Sequence, residues 1–442
     1  MDTVSVSGLE RVLAAVDDRA SEIIAFATQL IQHPSVNPDL EPNDLGERPA
    51  QDWLRDRFRE SLAFDIVDSW EVAENRPNVV AVRKGSGGGR SLTWSAHTDV
   101  VPVTPEQAEQ WSGAGPFSGE VRDGKLWGRG ASDMKGAIAA YTMSARILHD
   151  LGFRLKGDLI LSQACGEESG RRDIGCNTIL ERGYRSDLAI FPEPSNFRIY
   201  PTAKGELYFR LTVPGKSTHI CNRHLVAQAL PYGIERPGLS AIDNMLKYQL
   251  ALLDLERQWL LWRTNPNVAS GGMFININTL QAGTSITSIP DSCDATGSLL
   301  FYPDLTANEV MSEIRETVDR VTQSDYWLRD HPPVLDLPLD ASSAAPWVKE
   351  PVNMPFDHPG VLTVAEVLRG VSGRDPIIET APFVCDANFW FPLGQDSLIF
   401  GLGDPSWGIH GTNEFLPVTD LLEATKLFAA VTMAWCGVED AA

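Results

Sequence analysis

The stretch Ser91-Leu92-Thr93-Trp94-Ser95-Ala96-His97-Thr98-Asp99 reads as a short apolar strand that ends on an imidazole and a carboxylate. The pattern recurs along the chain. Glu167 and Glu168 follow Asp158-Leu159-Ile160-Leu161-Ser162, Glu193 follows Asp187-Leu188-Ala189-Ile190-Phe191, and His410 lies in the loop after Ser397-Leu398-Ile399-Phe400. Asp133 sits between the turn Gly128-Arg129-Gly130 and a helix predicted from Met134 to His149. In an open α/β sheet the carboxyl ends of parallel strands converge on one crevice, where ligands bind. The linear scatter therefore predicts one cluster of two imidazoles and four carboxylates. That inventory suits a pair of divalent metal ions and one spare carboxylate to move protons.

Outward from this core, short apolar strands alternate with helical segments up to Pro194, the pattern of an α/β sheet. Residues 9–32 read as one amphipathic helix, with Leu13, Val16, Ala20, Ile23, Ala27 and Leu30 three or four apart. The glycine-rich run Gly85-Ser86-Gly87-Gly88-Gly89 is expected to close a hairpin. After Gly205 the pattern changes. Apolar and polar residues alternate in Leu207-Tyr208-Phe209-Arg210-Leu211-Thr212-Val213 and in Ile275-Asn276-Ile277-Asn278, which marks antiparallel strands with one wet face. Helices are predicted from Ser240 to Trp262 and from Thr306, where Thr306 and Glu309 can form a capping box. The block 206–335 thus reads as an α+β domain inserted into an α/β domain made of 1–205 and 336–442. The Pro- and Asp-rich stretch from His331 to Pro351 is expected to return the chain to the first domain.

At 442 residues and 43% hydrophobic composition, two domains are expected. A net charge of -22 speaks against nucleic-acid and anionic-membrane partners. The six cysteines show no C-x-x-C spacing, which predicts reduced thiols. The start Met1-Asp2-Thr3-Val4-Ser5 lacks a basic segment followed by an apolar core, and no apolar run reaches the ~18 residues of a membrane span. A cytoplasmic protein is the expectation.

Each candidate has a plainer reading. His97 and His410 could be loop histidines, and Asp133 could simply cap the following helix. A carboxylate at a helix start can also do both, capping with one oxygen and binding metal with the other. Adjacent glutamates are usually exposed. Here they follow an apolar strand and precede Ser169-Gly170. A two-metal hydrolase needs one carboxylate that ligates and one free to take a proton from water and pass it to the leaving nitrogen, and neighbours can supply both. Asp99 could hold the second ring nitrogen of His97. Pro192 and Pro194 stiffen the backbone around Glu193. His219, in Gly215-Lys216-Ser217-Thr218-His219, cannot be placed by pattern, and His33, His149, His224, His331 and His358 are read as structural or surface residues. There is no G-x-S-x-G elbow, no P-loop and no dinucleotide-binding glycine motif.

At these residues the chain resembles the co-catalytic metallopeptidase family that includes acetylornithine deacetylase, succinyl-diaminopimelate desuccinylase and glutamate carboxypeptidase. The matching segments are Ser95-Ala96-His97-Thr98-Asp99-Val100-Val101-Pro102, Gly128 through Gly136, Gly166-Glu167-Glu168-Ser169-Gly170, Glu193 between its prolines, and His410 with Asn413-Glu414. The resemblance implies an α/β/α metallohydrolase catalytic domain with an inserted α+β lid and dimerisation domain. It implies that Asp133 bridges two metal ions, with His97 and Glu193 completing one site and Glu168 and His410 the other. Zinc is the leading metal, and manganese or cobalt also fits such donors. Glu167 would be the general base and acid, Asp99 would orient His97, and the bond after Asp133 would be cis. His219 would stabilise the reacting carbonyl oxygen in the active site of a neighbouring subunit, within a homodimer formed through the lid.

The departures bear on substrate. Family members acting on amino-acid derivatives carry an Asn and an Arg on the lid that hold the substrate carboxylate. Thr287 and Leu300 stand at the corresponding places here. The family's Gly-Gly-Thr-Ser-Asp-like loop is replaced by Pro382-Phe383-Val384-Cys385-Asp386, and a long stretch from Asn222 to Gly238 follows His219. The leading reading is a two-metal hydrolase of a C–N bond, an amide, in a small molecule other than the family's usual amino-acid derivatives. The alternatives are a metal-dependent aminohydrolase releasing ammonia from an aromatic amine, and a non-catalytic binding protein on the same fold.

Overall fold

The computed structural model describes residues 6–42, 45–61, 63–223, 238–268, 272–339 and 348–439. His224 and most of the stretch after His219 lie outside the described residues. The chain separates into two compact units, Met1–Thr202 with Val352–Ala442, and Ala203–Pro351.

The first unit is built on a mixed sheet whose strands run in the order 66–73, 76–83, 159–164, 92–97, 188–191, 397–399, 199–203, 352–353. The four strands Leu159–Ala164, Leu92–His97, Leu188–Phe191 and Ser397–Ile399 are mutually parallel. All four are buried along their length, as expected of strands covered on both faces. Their carboxyl ends therefore share one edge of the sheet. The helix Gly136–Asp150 is buried nearly all round and packs with Val418–Cys436. Trp94, in the central strand, lies against Phe428 with ring centroids 4.3 Å apart, and its indole N–H donates to the Thr432 hydroxyl at 3.1 Å.

The single helix expected over 9–32 is two helices, Val6–Asp18 and Ala20–Ile31, because Arg19 leaves the helical region at φ -103°, ψ 18°. The break lets the first half pack chiefly on Val418–Cys436 and the second on Gly136–Asp150. The glycine-rich run closes no hairpin. The strands on either side of it, 76–83 and 92–97, are separated in the sheet by 159–164.

The second unit is an antiparallel sheet in the order 274–282, 292–301, 205–214, 334–336, with 348–349 also paired to 205–214. Burial alternates residue by residue along Gly205–Pro214 and Ser292–Phe301, so one face is apolar. The helices Ala241–Trp262 and Ala307–Ser324 cover that face, with Leu207, Phe209, Leu255, Trp259, Leu299 and Ile314 in the shared core. Thr306 and Glu309 form the capping box. The stretch from His331 to Pro351 differs from expectation. Rather than only returning the chain, it adds the strands Val334–Asp336 and Val348–Lys349 to this sheet, because residue 205–214 backbone groups are left open to it on that side. Among the described residues no helix is long and apolar enough to cross a membrane.

Candidate metal centre

His97 closes the central parallel strand, and its side chain is 2% exposed. Its Nε2 lies 3.2 Å from Asp133 Oδ1 and 3.9 Å from Glu193 Oε2. His410 Nε2 lies 3.4 Å from Asp133 Oδ2 and 3.1 Å from Glu168 Oε1. Asp133 thus offers one oxygen to each imidazole, His97 with Glu193 on one side and His410 with Glu168 on the other. One donor atom each from His97, Asp133 and Glu168 falls within 4.8 Å of the others. Asp133 Oδ1 is buried and makes no hydrogen bond among the described residues, although the His97 nitrogen is near. A buried carboxylate oxygen left in that state calls for a cation. The donor set of imidazole nitrogens and carboxylate oxygens fits a divalent metal, so the residues present fit the ions the resemblance implies.

The charges follow from the crowding. Burial alone would lower the His97 pKa, yet Asp133, Glu193 and Asp99 hold it well above the ordinary value. Burial raises Glu193 well above a normal carboxyl, with Asp133 and Glu167 adding to the effect against the pull of His97. Burial also pushes Glu168 up to about 7, against a hydrogen bond from His410. Hydrogen bonds to Asp133 and Glu168 lift His410 to about 10. Asp133 goes the other way: burial would raise it, but the two imidazoles keep it ionised.

The local backbone explains why Asp133 is free for this role. It does not cap the helix, which begins at Gly136 after a wide turn over Ala131–Lys135 and has no side-chain cap bond. The Asp133–Met134 peptide bond is cis. The turn is held by Glu414, which the sequence patterns had assigned no role. Its Oε1 accepts the N–H groups of Ser132 at 3.0 Å and Asp133 at 3.1 Å, and its Oε2 accepts from Arg129 at 2.8 Å. Arg129 also donates to the Gly411 carbonyl, next to His410, at 3.1 Å. Glu414 therefore ties the Asp133 turn to the His410 loop. Its only sequence signal was its place beside His410 in a matching segment.

Asp99 meets the His97 ring chiefly through its backbone. His97 Nδ1 meets the Asp99 backbone carbonyl at 2.9 Å, and the carboxylate stands 3.7 Å away. The carboxylate instead accepts the backbone N–H of Glu167 at 3.2 Å and of Glu168 at 3.0 Å, pinning the turn that carries both glutamates. Glu167 is half-buried on that turn. In the loop 382–386, Cys385 and Asp386 are buried. Burial raises the Cys385 thiol, with the charges of Glu193 and Glu167 adding to it, which places this loop beside the cluster. His219 belongs to the second unit, exposed at the end of the short strand Thr218–His219, where its Nδ1 accepts the Cys221 N–H at 3.3 Å. Leu300 is half-buried and Thr287 exposed in that same unit.

Imidazoles and carboxylates gathered at the ends of parallel strands, with a second glutamate on the same turn, are the arrangement of a metal-dependent hydrolase. The sequence profile described as peptidase family M20/M25/M40 matches residues 93–434, and the chain belongs to that family. The N-formyl-4-amino-5-aminomethyl-2-methylpyrimidine deformylase of Halalkalibacterium halodurans is 30% identical over 99% of this chain and 99% of its own length. A succinyl-diaminopimelate desuccinylase of Alkalilimnicola ehrlichii is 30% identical over 93% of this chain and 98% of its own. Among solved structures, the fold is shared with an M20 family metallo-carboxypeptidase of Sulfolobus solfataricus, at TM-score 0.68 and 19% identity over 94% of this chain and 99% of that one. It is also shared with a dinuclear metal binding peptidase of Bacillus subtilis, at TM-score 0.63 and 16% identity over 94% and 98%. The protein is a hydrolase of C–N amide bonds in small molecules, and it depends on metal.

Glu414→Gln leaves the Arg129 charge buried without its partner, and breaking a buried pair costs about 3–5 kcal/mol. The variant should unfold at lower denaturant and hold metal about 10–100-fold more weakly, as loss of a supporting partner usually does. Chemical denaturation and competition with a chelator measure both. Wild-type metal affinity would show that the Asp133 turn stands without Glu414.

Proposed function

We propose that this hydrolase removes a small N-acyl group, formyl foremost, from the aminomethyl nitrogen of a pyrimidine or a similar heteroaromatic amine. The observation that carries the reading is full-length likeness to proteins named N-formyl-4-amino-5-aminomethyl-2-methylpyrimidine deformylase, at 30% and 31% identity. Two features of the chain support it. Thr287 and Leu300 offer no charged pair for a substrate carboxylate, which an apolar pocket cannot leave unpaired. Phe383, in the loop beside the cluster, meets Tyr200 edge-on with centroids 5.9 Å apart, an aromatic surface suited to a flat ring.

In this reading His97 and Glu193 would hold one ion, Glu168 and His410 the other, and Asp133 would serve both. Two divalent ions, zinc first and manganese or cobalt alternatively, would supply charge that polarises the amide carbonyl and acidifies water. Glu167 takes a proton from the attacking water and returns it to the amine nitrogen as the C–N bond breaks, leaving amine and formate. Asp99, through the two N–H groups it accepts, fixes where Glu167 and Glu168 stand. His97 is held by the Asp99 carbonyl, which sets its ring orientation. His219 donates to the carbonyl oxygen as negative charge develops there. It does so from a second subunit. The helix Ala241–Trp262 supports a homodimer through its unit, since Ile242, Leu246, Leu250, Leu253 and Leu261 form an exposed apolar stripe, with Leu261 74% exposed. The six free cysteines support a reducing, cytoplasmic setting.

Glu167→Gln should keep fold and metal and lose about 10²–10⁴-fold in kcat, while Glu168→Gln should lose metal first. Steady-state kinetics with metal analysis checks the pair, and the reverse pattern would exchange the two roles.

Mixing inactive His219→Ala with inactive Glu167→Gln should restore part of the activity through hybrid dimers. No recovery after demonstrated subunit exchange removes His219 from the partner's site.

Substrate choice is read from kcat/KM on an N-formyl aminomethylpyrimidine and on N-succinyl-diaminopimelate. The first should exceed the second by about a hundredfold. A preference for the dicarboxylate, or ammonia rather than formate as product, would falsify the deformylase reading.

A further inference from the structure

A buried polar network meets at Asn37, a residue in the loop after the second helix and 0% exposed. Its side-chain amide N–H₂ donates to Asp99 Oδ2 at 2.7 Å and to the Ser169 hydroxyl at 3.0 Å. Its amide oxygen accepts the Asp39 N–H at 2.9 Å and faces Arg76 Nη2 at 3.4 Å. Arg76, itself 3% exposed, is paired with the fully buried Glu47 and with Asp39. The backbone is fixed as well. The Asn37 N–H donates to the Val100 carbonyl at 3.0 Å, and the Val100 N–H to Ser35 at 3.0 Å, so the loop is zipped to the segment that follows His97. Asn37 therefore connects two groups of opposite sign. Its oxygen faces a guanidinium and its nitrogen faces a carboxylate, an arrangement that neither Asp nor Leu at this position can reproduce.

The far side of Asp99 bears directly on the reaction. The carboxylate that Asn37 holds is the one accepting the N–H groups of Glu167 and Glu168. Ser169, the other acceptor of the Asn37 amide, is in the same turn and donates to Asp39 at 2.9 Å. Gly166 opens that turn at φ +81°, and a Cβ there would stand 3.2 Å from Arg76 Nη2, so the guanidinium packs against the turn itself. We infer that Asn37 is a positioning residue for hydrolysis: through Asp99 and Ser169 it sets where the Glu167 base and the Glu168 ligand stand. The inference rests on the roles proposed for those two glutamates.

The test compares Asn37→Asp, which keeps the shape but sets a carboxylate against Asp99, with Gln51→Ala. Gln51 is equally buried and donates to the Gln163 carbonyl at 3.1 Å. Asn37→Asp should lower kcat about 10²-fold with KM changed less than about threefold, and should weaken zinc retention against a graded chelator about 10–100-fold. Gln51→Ala should lower Tm while leaving kcat and zinc affinity at wild-type values. Asn37→Ser, a gentler change with about a tenfold expected loss in kcat, takes over if the Asp variant fails to fold. Wild-type kcat and zinc affinity in the Asn37 variant overturns the inference, as does an equal kcat loss in Gln51→Ala at equal Tm loss. Glu167→Gln is measured in parallel. Full activity there overturns the underlying assignment, whereas an inactive Glu167→Gln beside an unaffected Asn37 variant overturns only the role of Asn37.

Discussion

Mutual repulsion among buried carboxylates is the constraint on which this structure depends. Asp133, Glu168 and Glu193 are brought together with two imidazoles at the ends of parallel strands, and their ion pairs among the described residues are with His97 and His410. The cationic side chains stand one step back. Arg129 is spent on Glu414, and Arg76 on Glu47 and Asp39. Behind them the carboxylates of Asp99 and Glu414 accept the backbone N–H groups of Glu167, Glu168, Ser132 and Asp133, and Asp99 also accepts the Asn37 amide. These outer carboxylates fix the backbone that carries the inner ones and leave the inner oxygens facing one another and the two imidazoles. The outer pairs in turn require that both partners stay, because each is costly to leave alone in a dry interior.

The strand-end residues were legible in the sequence because their signal is local. An apolar run followed at once by His97, Glu167–Glu168 or Glu193 needs no knowledge of distant partners, and parallel pairing does the rest. Glu414 and Asn37 were not legible for the opposite reason. Glu414 is defined by Arg129, Ser132 and Asp133, nearly three hundred positions earlier, and Asn37 by Asp99, Ser169 and Arg76. Nothing around either residue in the chain announces those meetings. Asp99 shows a subtler limit. Its proximity to His97 in sequence suggested a side-chain contact, but the strand end turns its carbonyl to the ring and its carboxylate to the next loop. Helix boundaries failed on similar grounds, since the break at Arg19 follows from which helices lie beneath it and not from the periodicity above it.

The candidate metal residues and the lid positions singled out in the sequence belong to different units. The metal cluster is assembled wholly within the unit Met1–Thr202 and Val352–Ala442, while Thr287, Leu300 and His219 belong to Ala203–Pro351. The second unit has its own sheet and its own core, so its strand residues can change without disturbing the ligands. Thr287 and Leu300 are two residues of that unit. A change at either leaves every candidate ligand and the Glu167–Glu168 turn in place.

The sheet order has a consequence for how the enzyme comes into being. Strands 188–191 and 397–399 are neighbours although roughly two hundred residues lie between them, the whole second unit among them. A chain growing from its N-terminus can pair 92–97 with 159–164 and 188–191, and so can gather His97, Asp133, Glu168 and Glu193 early. It cannot yet present His410, nor Glu414 to seat the Asp133 turn, nor the helix Val418–Cys436 that lies over Trp94. The nascent protein thus holds the cluster with one wall open until the C-terminal segment is added.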